Sequence, residues 1–407
     1  MRVTNSAFSG AFLNSYNTLL SNYLKSQTKI LTQRKYNRAS EDSSSAAKAA
    51  HVRKSLENLD IYDENLKTAK DFYYAAEDAL YDIADKTYLN IKSKVVSIQD
   101  TMDQTELDAI ALELEQQAEH IMQDMNTDFA TRQMFGSASN NKTPFTAYSR
   151  VEVEMPDGTV KVFGSEFDAE GNVINGNKSY DSTIDYSDID TKSELPDTVV
   201  CYNDVPVNLM GDDLKNAVNG GTIRYYDDKG KLVDTKTIKT PTESGDADGF
   251  PGTNPVYVDI GLGVKYDENG KINPATALDL SLNGAEITGC GVDKEGDALN
   301  LIQLVYDTVS ALRDGDVETV NRYIDKLDEA NSKVLDAITT LGVKQTNMQM
   351  YIDRNDVYRI NLCEKQNTLE GVDIEQEITN MKSIEAAYNA SLSLGSGIIP
   401  KSIFDFV

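Results

Sequence analysis

Apolar residues recur at helical spacing through the first 35 residues of the chain. The apolar positions follow one another at intervals of three, four or seven residues: Phe8, Phe12, Tyr16, Leu19, Tyr23 and Ile30. Such spacing places them on one face of a helix. Asn5 and Ser6 are residue types that cap helices, so they are the predicted start of this helix.

A second, much longer helical pattern follows a polar interruption at residues 37–45. No Gly or Pro occurs between Ser45 and Thr101, and a heptad-like stripe extends from Val52 to Ile83. This predicts a helix over 45–100, roughly 80 Å long at the usual rise per residue. A third helix is predicted over 105–125, antiparallel to the second, with Thr105 and Asp108 resembling a capping box.

The middle of the chain has the alternating pattern of β-strands, as in residues 151–154 and 160–162. A short repeat of aromatic, Asp, two polar residues, Gly, a polar residue and an aliphatic occurs at 167–173, 226–232 and 266–272. It predicts β-hairpins in which Asp opens the turn and Gly takes the left-handed position. A calcium-binding loop is the alternative, although the repeat lacks the complete ligand spacing of such loops.

Helical patterns return near residue 297. A helix to Leu312 is followed by one that Asp316 caps, with a stripe from Val317 to Leu369, and by a last helix that Asp373 caps. The apolar positions of this last segment and of the end of the chain are Ile378, Met381, Ile384, Tyr388, Leu392, Phe404 and Phe406. The predicted fold class is therefore α+β, with long N- and C-terminal helices forming an antiparallel coiled-coil rod and a β-rich inserted outer domain.

Three domains are predicted on this basis. Residues 1–40 plus 373–407 form terminal helical polymerisation arms, residues 41–136 plus 296–372 form the helical rod, and residues 146–295 form the variable β-rich domain. The apolar positions of the two arms, from Phe8 to Ile30 and from Ile378 to Phe406, are the predicted assembly interface.

Composition excludes several classes of function. The 407 residues carry a formal net charge of −27, which argues against nucleic acid as a partner. No apolar run is long enough to span a membrane, and the first ten residues lack the apolar block of a cleaved secretory signal. Three widely separated cysteines, two histidines and the lack of a phosphate-binding glycine motif predict no catalytic site, no metal site and no cofactor.

Charge distinguishes the two arms. Residues 1–40 contain bases but no acid, whereas residues 372–407 contain five acids and two bases. The arms should attract each other, but two thin helices bury little surface, so we expect them to become ordered only in a polymer. Two alternatives for the basic arm are a helix that binds anionic lipid and an organelle transit peptide.

Four segments resemble the flagellar hook-filament junction proteins, the flagellin-related hook-associated proteins of type 3. They are Met-Arg-Val-Thr-Asn-Ser at 1–6, Tyr-Asn-Arg-Ala-Ser-Glu-Asp at 36–42, Gln-Met-Phe-Gly-Ser at 133–137 with Thr-Pro-Phe at 143–145, and Ile-Pro-Lys-Ser-Ile-Phe-Asp-Phe-Val at 399–407. The resemblance covers about 1–146 and 296–407. It departs at Ala39, where the family has Pro, and at residues 32–34, where the family's Gly is missing.

The resemblance implies a secreted, extracellular structural subunit of the bacterial flagellum, located at the hook-filament junction. Its implied partners are the hook-side junction protein, flagellin, copies of itself in a ring, the flagellar type III export machinery and a chaperone. A filament flagellin is the near alternative, because it shares the end helices. An alternative of another class is a calcium- or carbohydrate-binding module in the β-rich domain.

Overall fold

The computed structural model describes residues 2–99, 101–130, 132–137, 143–167, 173–175, 197–238, 250–251, 255–268 and 270–398. Helices and small antiparallel sheets confirm the α+β class. The chain divides into two compact units: unit 1 contains Met1–Asp63 and Ile352–Val407, and unit 2 contains Glu64–Tyr351. The three-domain division stays a prediction.

Most helices occupy the segments in which the apolar stripes occur, and two short ones lie inside the segment at 146–295 that was predicted to be β-rich. The helices are α1 (Arg2–Thr32), α2 (Ser43–Tyr81), α3 (Tyr88–Val96), α4 (Gln104–Met125), α5 (Gly211–Val218), α6 (Gly284–Thr288), α7 (Leu301–Arg313), α8 (Val317–Glu370) and α9 (Ile374–Ile398). One π-helical stretch, Asp82–Thr87, connects α2 to α3. The predicted helix over 45–100 is therefore helical up to Val96, but with a local widening that the heptad pattern did not indicate.

The capping residues are partly those predicted. Asp316 accepts a hydrogen bond from the Thr319 amide at 3.0 Å, and Asp373 accepts one from the Gln376 amide at 3.1 Å, as predicted. The capping box of α4 was placed two residues too late, because Asp103 and Glu106 form it. Asn5 and Ser6 lie inside α1 and do not begin it.

In unit 1, α1 packs against α9, and the first half of α2 packs against the end of α8. The second pair shares a small core of Val52, Leu59 and Leu362, to which Leu56 and Leu369 add partly buried surface. In unit 2, α4 packs along α7, and α7 is buried on nearly every side. Gln303 of α7 binds the strand that contains Val200, since its Oε1 accepts the Val200 amide at 2.8 Å.

The strands form small antiparallel sheets. They are β1 (Asp128–Phe129), β2 (Arg132–Gln133), β3 (Phe145–Tyr148), β4 (Arg150–Glu154), β5 (Val160–Gly164), β6 (Glu166–Phe167), β7 (Val173–Asn175), β8 (Val199–Tyr202), β9 (Val205–Pro206), β10 (Thr222–Tyr226), β11 (Leu232–Thr237), β12 (Tyr257–Val258) and β13 (Leu278–Asp279). One sheet has the order β11-β10-β4-β5 and another the order β3-β8-β9. In the first sheet Val151, Val153 and Ile223 are buried between half-buried polar neighbours, as the alternation predicted.

The repeated turn forms hairpins, as predicted. At 226–232 the Asp227 carboxylate accepts the amides of Lys229 and Lys231, and Gly230 has a φ of 65°. At 266–272 Asp267 accepts the Lys271 amide and Gly270 has a φ of 75°. In the first copy Phe167 pairs with Val173, but its turn lies outside the described residues.

A fourth copy of this turn occurs at 292–298, where the sequence analysis did not find it. Asp293 accepts the amides of Glu295 and Asp297, Gly296 has a φ of 84°, and Val292 pairs with Ala298. It differs from the other three copies in its first residue, which is Val in place of an aromatic.

Candidate assembly interface

The predicted interface residues of the two arms lie on facing sides of α1 and α9. Those that are half-buried are Phe12, Tyr16, Leu19, Tyr23, Ile30, Ile378, Met381, Ile384 and Tyr388. Leu392 is 47% exposed, although it continues the stripe. The side chain of Phe8 and the whole of Phe404 and Phe406 lie outside the described residues. Among the described side chains of α1 and α9, no apolar one is fully buried.

Aromatic rings hold the middle of this helix pair together. The hydroxyls of Tyr16 and Tyr388 lie 2.7 Å apart, and their ring centroids are separated by 5.1 Å. Tyr23 also stacks on Tyr388 at 6.5 Å, and Phe12 stacks on Tyr16 at 6.4 Å. The hydrogen bond between Tyr16 and Tyr388 is the largest cause that raises the pKa of Tyr16 above its usual value.

Ser26 belongs to the same interface, but apolar periodicity missed it. Its side chain is only 2% exposed, and its Oγ donates to Glu377 Oε1 at 2.6 Å. Ser26 follows Tyr23 by three residues and precedes Ile30 by four, so the heptad register alone would have found it. The helix pair thus contains a polar contact between the arms.

A backbone joint connects the end of α1 to the start of α9. Arg34 pairs with Gly371 as an antiparallel bridge. The Lys35 amide donates to the Glu370 carbonyl at 2.7 Å, and the Val372 amide donates to the Gln33 carbonyl at 3.2 Å. The joint fixes the register of the arms, because backbone hydrogen bonds align one residue with one partner.

The pairing of α2 with α8 in unit 1 is partly polar. The Arg359 guanidinium binds the carboxylates of both Asp60 and Asp63, and these hydrogen bonds raise its pKa. The buried Asn355 donates to Asp63 at 3.0 Å. Tyr358, which has the helical spacing of the stripe from Val317 to Leu369, is exposed, whereas its neighbours Asn355 and Arg359 face α2.

A second leucine stripe of α1 faces away from α9. Leu13, Leu24 and Leu31 are exposed, Leu31 to 76%, and Leu20 is half-buried. These four positions are separated by seven, four and seven residues, the spacing of a coiled-coil seam. Leu20 and Leu24 line a groove of about 940 Å³. The helix thus has two apolar faces, of which α9 covers one.

Residues 133–137 and 143–145, which resemble the junction proteins, connect the β-rich part to the end of α4. Phe135 and Phe145 are fully buried, and the Asn126 side chain exchanges two hydrogen bonds of 2.8 Å with the Phe145 backbone. Tyr202 donates its hydroxyl to the Phe135 carbonyl at 2.8 Å. The role of these residues in the structure is to anchor the core.

The fourth hairpin turn gathers three carboxylates around one ammonium group. Lys326 Nζ lies 2.6 Å from Asp293 and 2.7 Å from Glu295, and it also binds the buried Asp297. Oxygens of the three acids lie within 4.8 Å of one another, close enough to share a metal ion. In this geometry the lysine supplies the positive charge that the carboxylates require.

The residue types of acid–base or nucleophilic catalysis are dispersed. His120 contacts Asp124 at 3.1 Å on an exposed part of α4. The cysteines Cys201, Cys290 and Cys363 are all unpaired, and burial raises the pKa of the Cys201 thiol. Within the described ranges, no helix combines the length and the hydropathy that a membrane span requires.

Comparison with known proteins gives structural neighbours only. No family model and no curated protein matches the sequence. The chain is similar to a solved structure of a flagellar hook-associated protein from Vibrio parahaemolyticus, with 10% identity and a TM-score of 0.48 over 81% of this chain and 100% of that one. It is also similar to Bacillus cereus FlgL, with 12% identity and a TM-score of 0.36 over 78% and 99% of the two chains. It is similar to Xanthomonas campestris FlgL as well, with 15% identity and a TM-score of 0.37 over 78% of this chain and 99% of that one.

Proposed function

We propose that this chain is a structural subunit of the bacterial flagellum, and more closely a junction adaptor that joins the hook to the filament. In this proposal the terminal helices pack against those of neighbouring subunits, and the β-rich part faces outward. The protein is secreted through the flagellar export machinery with the help of a chaperone. It contacts the hook-side junction protein on one side and flagellin on the other, and forms a ring with its own copies.

The observation that carries the proposal is that the apolar residues of α1 and α9 are only partly buried in the single chain. The two helices match in register, through Tyr16 with Tyr388 and Ser26 with Glu377, yet their apolar stripe is only half-buried. The stripe that includes Leu24 and Leu31 faces solvent. Helices that expose apolar seams of heptad spacing gain stability by packing with further helices.

The second face of α8 supports the same function. Val343, Met350 and Val357 are exposed and follow one another at intervals of seven residues, and Ile360 extends the series. A long helix with an unpartnered apolar seam is typical of subunits that pack side by side. Assembly therefore gains support from helices outside the terminal arms as well.

The choice of the junction over the filament depends on the sequence segments at 133–145 and 399–407, which resemble the junction proteins more than flagellin. Electron microscopy of flagella with a labelled copy of this chain tests that choice. Label in one band at the hook end supports an adaptor, whereas label along the whole filament identifies a flagellin. Flagella that carry no label contradict both functions.

A further inference from the structure

A groove in unit 1 lies between α1 and the connection that leads to α2. One wall consists of Leu20, Leu24 and Thr28, on the face of α1 that α9 does not cover. The other wall consists of residues 35–38 together with 41–42. Successive residues of a helix are rotated by about 100°, so the wall at Leu20 and Leu24 is offset from the stripe at Leu19 and Tyr23, which faces α9.

Four cations border this groove, namely Lys25, Lys29, Lys35 and Arg38. None of the four forms a salt bridge among the described residues. The two acids in the lining are engaged with the backbone, because Glu41 accepts the Asn37 amide and Asp42 accepts the Ser45 amide. Four cations against two acids leave the rim of the groove net positive, beside the apolar wall at Leu20 and Leu24.

One buried polar group in the lining lacks a partner. Tyr36 is 9% exposed, and its hydroxyl makes no hydrogen bond within the described part of the chain. A buried hydroxyl of this kind is usually hydrogen-bonded in a completed structure.

The start of α9 presents the complementary surface. A shallow concave face there is lined by acidic and neutral polar residues: Asp373, Glu375, Gln376, Glu377, Thr379, Asn380 and Ser383. Glu375 is exposed and in no salt bridge among the described residues. Ile374 is also partly exposed beside these acids. An acidic helix turn with an apolar neighbour matches the groove in charge and in polarity.

We propose that the groove bordered by Lys25, Lys29, Lys35 and Arg38 receives the acidic face at 373–383 of a second copy of this chain. The inference rests on the proposed function and deepens it by naming the two surfaces that meet. The chain's own α9 is not the occupant, because it packs on the neighbouring stripe of α1 and contributes no residue to the groove lining.

The proposed contact joins two different surfaces, so it is heterologous. Each added copy then leaves one groove and one acidic face unoccupied at the two ends of the assembly. Repetition of such a contact closes into a ring or continues as a helix, whereas a contact of identical surfaces stops at a dimer.

Charge reversal on each surface of the full-length chain tests the proposal. The groove variant is Lys25→Glu with Lys29→Glu, and the face variant is Glu375→Lys with Thr379→Lys. The control is Lys229→Glu with Lys271→Glu, which makes the same charge change as the groove variant but on exposed hairpin turns. Sedimentation velocity over a range of concentrations measures self-association, and circular dichroism verifies that each variant is folded.

Each of the two reversed variants should associate at least tenfold more weakly than wild type by itself, and the control should associate normally. An equimolar mixture of the two should recover association, since each then offers the opposite charge to the other. Reversed variants that associate as wild type does, or a mixture that fails to recover, overturn the proposed contact alone. A wild-type chain that stays monomeric at every concentration contradicts the proposed function itself.

Discussion

The hydroxyl oxygens of Tyr16 and Tyr388 lie 2.7 Å apart, although the two residues are separated by 372 positions in the chain. Their rings stack at 5.1 Å with an angle of 29° between the planes. This contact sets the register of α1 against α9 within a stripe that is otherwise only half-buried. The two arms are therefore paired within the single chain, which differs from the expectation that they become ordered only in a polymer.

Replacement of Tyr388 should loosen both arms. Tyr388→Ala removes the ring that stacks on Tyr16 and Tyr23, so trypsin should cleave at Lys25 and Lys29 several-fold faster than in wild type. Tyr388→Phe keeps the stacking and should have a much smaller effect. Tyr358→Ala is the control, since Tyr358 is an exposed tyrosine of α8. Equal cleavage rates in wild type and Tyr388→Ala would show that the stacking does not hold the arms.

The contact should also weaken at alkaline pH. The hydrogen bond to Tyr388 raises the pKa of Tyr16, so the neutral phenol is the form that the paired arms favour. A raised pKa contributes stability that is complete below the usual tyrosine value of about 10 and is lost as the pH rises through the folded-state pKa. Tyrosine ionisation is followed by ultraviolet absorbance in wild type and in Tyr16→Phe. The difference between the two titration curves gives the pKa of Tyr16. A value for Tyr16 at or below that of a free tyrosine contradicts the contact.

Gly371 should not tolerate a side chain. A Cβ at this position would lie 2.5 Å from the Asn367 carbonyl oxygen and would also overlap the Asn367 side chain. Gly371→Ala should therefore destabilise the backbone joint by about 1–3 kcal/mol. Gly342→Ala is the matched control inside α8, where an added Cβ meets no atom within 4 Å apart from the local helix backbone, and it should stabilise the chain by about 1 kcal/mol. Thermal unfolding followed by circular dichroism compares the two; similar shifts in both variants would refute the steric argument.

Lys326 should stabilise the folded chain, because its ammonium group offsets the charge of three neighbouring carboxylates. Lys326→Met leaves Asp293, Glu295 and Asp297 to repel one another, and we expect a loss of about 1–3 kcal/mol in the free energy of unfolding. Urea unfolding at neutral pH measures this loss. Lys333→Met, at a half-buried lysine two turns further along the same face of α8, provides the comparison.

The same cluster should make the stability of the folded chain depend on pH in the acidic range. Burial alone would raise the pKa of Asp293, but the hydrogen bonds from Lys326 and from the amides of Asp297 and Glu295 outweigh burial and lower it. A lowered pKa contributes stability that is present above the usual Asp value of about 4 and is lost as the pH falls through the folded-state pKa. Lys326→Met should therefore lose less stability than wild type between pH 5 and pH 2. Parallel stability curves for the two proteins would contradict this role of Lys326.

The sequence predicted the elements better than the contacts between them. Apolar periodicity located α1, α8 and α9, because one face of each helix is apolar whatever its partner. The same periodicity missed Ser26, Asn355 and Arg359, because it counts apolar residues only. The heptad register places these polar residues on the seam, but it does not identify their partners Glu377, Asp63 and Asp60. Those partners lie hundreds of residues away, and the sequence pattern of one helix contains no information about them.

Local geometry explains why the turns were predictable. In the turn at 226–232 an Asp accepts backbone amides from the residues two and four positions later, and the Gly that follows has a positive φ. All of these features lie within seven adjacent residues. The fourth copy at 292–298 was missed only because Val292 replaces an aromatic residue. The ammonium group of Lys326, which completes that turn, comes from α8 and could not be predicted from the turn itself.

Sedimentation velocity of the full chain beside a chain reduced to residues 36–372 tests the central claim most directly. The shortened chain lacks α1 and α9, and circular dichroism must show that its remaining helices are intact. The account predicts that the full chain associates with rising concentration while the shortened chain stays a monomer. A shortened chain that associates as strongly as the full one would contradict the assembly role of the terminal helices.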